Sequence, residues 1–341
     1  MSPRPVAGVL ILALCLSPVT ATAQQRGITA APVIARAYDL ILDADFDQLK
    51  KTLPSTCPPA PMVACLGLEA LSLWWQIQLD LDNRQLDAAF MSAVERAIVE
   101  AARMAAAEPK RAEAWFYLGA AYGVRAQFRV YRVERLAAAR DGKRIKESLE
   151  QALALDPTMH DAEFGVGMYR YYAGVAPAVF RFLRFLLLLP GGDRAGGLEQ
   201  LERAGRDGLL VRGEAQYQIQ ILYLWYEHKS KEALAILRGL QARYPHNPLF
   251  RQTEAEVLDV YFHDHAASLL ASEQLLALAQ SRSVFRSDIA EVVARLNIAR
   301  QAIALQQRDR AITELDGLIA RQPSAPAGAL ERARELRRTI R

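Results

Sequence analysis

The chain has 341 residues, more than one ordinary core holds, so two domains or an extended array is expected. It is 52% hydrophobic and 23% charged, which excludes a disordered chain. The net charge of +4 is too small to argue for nucleic acid, and no nucleic-acid partner is expected.

Alanine, leucine, arginine and glutamate dominate, and no run alternates cleanly over several strands, so an all-α fold is predicted. Residues 1–23 read as a cleaved signal peptide: Arg4 supplies a positive start, Val6 to Leu16 an apolar stretch, and Ala21-Thr22-Ala23 a cleavage site. The apolar run is too short to span a bilayer, and export to a periplasm is expected. Cys15 resembles a lipobox cysteine, but Leu14 stands where a small residue belongs.

Export leaves Cys57 and Cys65 in the mature chain, flanking the turn CPPAPMVAC. Two readings stand, a disulfide or two isolated thiols; the even count in an oxidising compartment favours the bridge. A loop this short is worth about 2–3 kcal/mol in the chain-entropy model. The spacing is neither C-x-x-C nor a haem-attachment motif.

Ala31 to Leu53 reads as a helical pair broken near Asp43 to Asp45, followed by helices from Met62 to Leu81 and Gln85 to Ala107. Adjacent Trp74 and Trp75 point to different faces of a helix, so one is expected in the core and the other towards a neighbour or groove. The stretch EPKRAEAWFYLGAAYG, Glu108 to Gly123, then places Pro109 six residues before Trp115, with Leu118-Gly119 and Tyr122 beyond. Its partner is expected from Arg144 to Leu155, stopped by Pro157. Pro109 and Pro157 lie farther apart than one repeat of about 34 residues allows, so an insertion is expected near 123–143. There Arg125, Arg129 and Arg132 share one helical face, while Phe128 and Tyr131 lie on another.

After Pro157, Gly167 holds the glycine position of the next pair, and a second, very apolar insertion is expected near 175–192. GGDRAGG then turns the chain, with Asp193 a candidate N-cap. Helices follow at Gln216 to Glu227, Lys231 to Arg243, Pro248 to Phe262, His265 to Ala279, Asp288 to Gln306 and Asp309 to Arg321. Ala233, Leu237 and Leu240 precede Pro245, and Ala311, Leu315 and Leu318 precede Pro323, at the same spacing. A polar helix, 328–341, caps the array.

These positions resemble the tetratricopeptide repeat (TPR) superfamily: Trp115, Leu118, Gly119 and Tyr122 in one first helix, and the second helices that end at Pro157, Pro245 and Pro323. The stretch from Gly165 to Leu201 looks like exported bacterial TPR proteins and is more distantly similar to the eukaryotic inclusion-body-clearance TPR family. The resemblance implies a right-handed superhelix (solenoid) of antiparallel helix pairs over 24–341, five or six degenerate repeats and two helical insertions. It also implies a concave groove for a protein or peptide.

The expected function is therefore a non-enzymatic periplasmic scaffold, with Trp115, Tyr122, Arg125, Phe128, Arg129, Tyr131 and Arg132 lining or flanking its groove. The competing reading packs Phe128 and Tyr131 in the core and pairs the arginines with nearby carboxylates. The alternative is a peripheral envelope-membrane protein docking through residues 179–189, with Phe180, Phe182 and Phe185 as contacts. Burial of that stretch against the solenoid is the duller reading. His263 and His265 point apart on a helix and lack a third ligand, so no metal is expected, and no cofactor or nucleophile motif is present.

Overall fold

The computed structural model describes residues 27–175, 191–320 and 327–340. Among the described residues there are fifteen α-helices and no strand. They run as antiparallel pairs: α1 (Ala31–Leu42) with α2 (Phe46–Thr56), α3 (Met62–Gln78) with α4 (Asp87–Ala107), and α5 (Ala112–Tyr131) with α6 (Arg135–Leu155). The next are α7 (His160–Val175) with α8 (Arg194–Asp207), and α9 (Arg212–Trp225) with α10 (Ser230–Arg243). Then come α11 (Pro248–Val260) with α12 (His265–Gln280), α13 (Ser287–Ala304) with α14 (Arg308–Ala320), and the single α15 (Ala327–Thr339). Each helix packs on the next in the chain, and first helices of neighbouring pairs also touch, which is the contact pattern of a solenoid.

Local chemistry sets the boundaries. Pro109, Pro157 and Pro245 each follow the close of a second helix, where a residue without an N–H cannot continue the ladder. Asp45, Asp193, Asn247 and Asp264 cap the helices they precede, accepting backbone N–H bonds at 2.9–3.0 Å. Cys57 and Cys65 form a disulfide across the turn between α2 and α3, with Cα atoms 6.3 Å apart.

Glycine earns its place where helices approach closely. A Cβ on Gly119 or Gly165 would sit 2.5 or 2.3 Å from the Leu149 side chain, so α5 and α7 close on α6 through that leucine. Gly167 and Gly197 bring α7 and α8 backbone to backbone in the same way.

The extra residues near 123–143 make no separate helix. They lengthen both members of one pair, α5 to 20 residues and α6 to 21, against 14 each for α9 and α10. The turn between them falls at Arg132 to Glu134, where Val133 takes a left-handed conformation (φ 64°). The second expected insertion lies mostly outside the described residues. Its two ends meet: Gly192 backs onto Gly174, and Asp193 N–H donates to the Arg170 carbonyl at 3.0 Å.

One contact pattern departs from a simple solenoid. The first pair folds back on the fifth and sixth: α1 packs on α9, Asp39 accepts from Tyr244 Oη at 2.7 Å, and Asn247 Nδ2 donates to the Leu42 carbonyl at 2.7 Å. His246 lies against Asp43 through its backbone N–H (2.9 Å) and Nδ1 (2.7 Å), and Arg286 pairs with Asp80 at 3.0 Å. A single apolar core consequently runs from Ala31 to Phe250. Both tryptophans of α3 are fully buried in it, and neither faces an open groove. Trp74 packs on Phe90, Phe128 and Tyr131, while Trp75 packs on Tyr217 and Phe250 across the closure.

Candidate functional site

The residues singled out in α5 do converge, but most of them turn inward. Arg125 is 6% exposed and holds Asp141 of α6 with Nε and Nη2 at 2.9 and 2.6 Å, and it also pairs with Glu95 of α4. Arg129 reaches the same Asp141 at 2.6 Å. Desolvation works to lower the Arg125 pKa, yet Asp141 and Glu95 more than offset it, and the pKa ends above its ordinary value. Arg132 grips Asp87 of α4 with two nitrogens at 2.8 and 2.7 Å and donates to the Leu81 carbonyl. These arginines tie three helices together.

The aromatic members behave similarly. Phe128 is buried, stacked on Phe90 with centroids 4.6 Å apart. Trp115 is half-buried and donates its indole N–H to the Pro109 carbonyl at 2.9 Å, which explains the spacing of that pair. Tyr122 is half-buried between the guanidinium groups of Arg125 and Arg144, 5.2 and 5.1 Å from its ring, and accepts from Arg144 at 3.0 Å. Tyr131, 46% exposed, is the one member that offers much surface, beside Val130, Val133 and Leu136.

Two concave features lie elsewhere. The first is a pocket of about 110 Å³ enclosed mainly by α1, α3, α5, α7 and α9. Its lining is mostly apolar, with Tyr38, Tyr117, Gln127, Asp161 and Glu214 as the polar members, and Glu214 of α9 is 1% exposed. Glu214 Oε2 accepts from Trp75 Nε1 at 3.0 Å and Tyr38 Oη at 3.4 Å, and Oε1 from Gln218 Nε2 at 3.4 Å. Burial pushes its carboxyl above the usual range, against the opposing pull of those hydrogen bonds. Asp161 also lines the pocket, but its carboxylate accepts the N–H groups of Leu209, Leu210 and Val211 at the start of α9.

The second is a groove of about 150 Å³ on the C-terminal arm, lined by α11, α12, α13 and α15. Its walls are mixed: Gln252, Glu256, Asn297, Arg300 and Arg332 stand among small apolar residues. Arg300 pairs with Asp259 at 2.9 Å, and Arg332 Nε donates to the Gly328 carbonyl at 3.2 Å.

No protein-family model and no curated protein matches the chain. Among solved structures, the C-terminal part of a TPR repeat-containing protein from Cytophaga hutchinsonii is similar to it. The identity is 12% and the TM-score 0.43, over 88% of this chain and 98% of that one.

The histidine cluster resolves into helix chemistry. His263 occupies the turn with φ 52°, Asp264 caps α12, and His265 Nδ1 lies 2.9 Å from Gln301 Oε1 and 3.2 Å from Asp259 Oδ1. Among the described residues, no three His, Cys, Asp or Glu side chains gather as a metal site would need. Phe180, Phe182 and Phe185, the expected docking contacts, lie outside the described residues.

Neither concave feature was visible to sequence reasoning. The signals were faint ones: Gly67 and Gly123 inside long helices, and a lone Glu214 in an otherwise uncharged helical run, AQYQIQILYLW following it.

Proposed function

We propose that this protein is a non-enzymatic, exported scaffold that binds a protein or peptide along the concave side of its C-terminal arm. One observation carries the reading. In the arm the first helices α11, α13 and α15 lie side by side around an unfilled groove with charged and amide side chains in its walls. In the N-terminal body the first helices close instead around a smaller, mostly apolar pocket, and most side chains of α1 and α3 join the core. The TPR-like spacing of the second helices that end at Pro245 and Pro323 supports the same reading, as does the mixed polarity of the groove.

The site named here differs from the one expected in α5, whose arginines are already paired within the chain. A photo-crosslinking residue at Gln252 or Arg332 should capture a defined partner from the host envelope, and one at Lys50, on α2, should not. Equal capture from both positions, or from neither, would count against the groove. Export is tested by sequencing the N-terminus of protein recovered from the periplasm, where an intact Met1 would refute it.

A further inference from the structure

We propose that the pocket between α1, α3, α5, α7 and α9 binds a primary amine on a short alkyl chain, hydrocarbon in the apolar lining and ammonium against Glu214. The pocket is separate from the arm's groove, so either reading stands or falls without the other.

The first support is space that the chain leaves unfilled. Gly67 of α3 and Gly123 of α5 both line the pocket, and a Cβ built on either meets nothing within 4 Å. Each sits inside a long helix, where glycine is about 1 kcal/mol worse than alanine. Alanine would thus be favoured twice, by helix propensity and by filling a void, and neither position has it. The volume of about 110 Å³ is of the order that takes one small hydrocarbon group, since an apolar cavity of about 150 Å³ holds benzene.

The second support is the chemistry of the polar lining. Asp161 is satisfied by three backbone N–H groups, and Tyr117 Oη donates to Glu113 at 3.2 Å. Gln127 Oε1 accepts from Trp74 Nε1 at 3.3 Å. Glu214 has only neutral donors, two of them at 3.4 Å, and among the described residues no Lys, Arg or His forms an ion pair with it. A buried carboxyl without a counter-charge is costly, and an ammonium delivered on a hydrocarbon tail supplies what is missing. A lining that carries the carboxyl groups of Glu214 and Asp161 disfavours an anion.

Titration calorimetry of the full chain with n-butylamine, 1-butanol and butyrate tests this. The amine should bind about tenfold or more tighter than the alcohol, and butyrate should not bind. Glu214→Gln should erase the preference for the amine over the alcohol. The double variant Gly67→Ala, Gly123→Ala should melt no lower than the parent, since its methyl groups meet open space, and yet lose the amine by about tenfold. Equal binding of amine and alcohol by the parent would overturn the proposal. So would amine affinity that survives in the double glycine variant, or an amine preference that survives Glu214→Gln.

Discussion

The body from α1 to α11 and the arm from α11 to α15 use the same helix pairs but are held together differently. In the arm, apolar contacts form seams between successive elements: Leu275, Ala290 and Ala294 between α12 and α13, and Ala299, Leu315, Leu318 and Ala333 from α13 to α15. That is largely nearest-neighbour stacking, in which each unit depends on those beside it, with ties to the body at the start of α13, where Arg286 meets Asp80 and Phe285 meets Phe46. In the body, Trp75 touches Phe250, Trp75 and Tyr38 both reach Glu214, and Asp39 holds Tyr244, so helices far apart in the chain share one core. The difference shows what closure does to a solenoid. It turns a row of seams into one cooperative unit, and it narrows the face shared by the first helices of the body to a pocket of about 110 Å³.

The largest effect should come from the residue that spans the closure. Trp75→Ala removes a fully buried ring and the best donor to Glu214, and should cost about 3–5 kcal/mol. Leu315→Ala in the arm should cost a comparable amount, about 2–5 kcal/mol, but locally. Segment-resolved hydrogen exchange separates the two. The tryptophan variant should expose amides throughout α1 to α10, and the leucine variant only those of α13 to α15. If both variants loosen the whole chain alike, body and arm are one unit and the comparison fails.

Much of the helical order was legible, because proline stops and aspartate caps act within a few residues. Pro109, Pro157 and Pro245 end helices as their chemistry requires, and Asp193 caps α8. The turns inside the pairs were harder. Ala44, Val133, His228, His263 and Gln306 all take left-handed backbone there, and none is glycine. Such residues carry a strain of about 1–2 kcal/mol that the surrounding packing must hold, so no local signal announces them. That is why α5 was expected to give way to an insertion rather than to a turn at Val133. For the arginines and aromatics of α5 the sequence left a groove and a core role both open, and it could not name the partners Glu95, Asp87 and Asp141, which come from other helices. The closure was not legible at all: Asp39 and Tyr244 share no motif, and only the curvature of the whole array brings them together.

A pH titration sharpens the contrast further, because Glu214 belongs to the body alone. Burial raises its folded-state pKa, so the folded chain holds that proton more tightly than the unfolded chain, whose glutamate titrates near about 4.3. Its contribution is fully present below that value and is lost as pH rises through the folded pKa. Glu214→Gln removes the group, so the body's urea midpoint should decline less than the parent's as pH is raised from acid towards neutrality. Parallel profiles for the two proteins would mean that the carboxyl is not strained by burial. Unfolding of the arm should show no difference between them.

The smallest effect concerns the outer edge of the closure. His246 and Asp43 meet where both are partly exposed, 55% and 21% by side chain, so water screens the pair and competes for its hydrogen bonds. Asp43→Ala should therefore cost no more than about 1 kcal/mol, and less at high salt. A matched change in the arm, Asp316→Ala, removes the exposed pair with Arg337 and should cost a similar small amount. Their consequences should still differ in place. Loss of Asp43 frees one end of a contact joining α1 to the start of α11, so exchange should rise at both, far apart in sequence. Loss of Asp316 should raise exchange only in α14 and α15. A strictly local response to Asp43→Ala would mean that the closure is held by Trp75, Phe250 and the core beneath them, with the polar edge following rather than holding it.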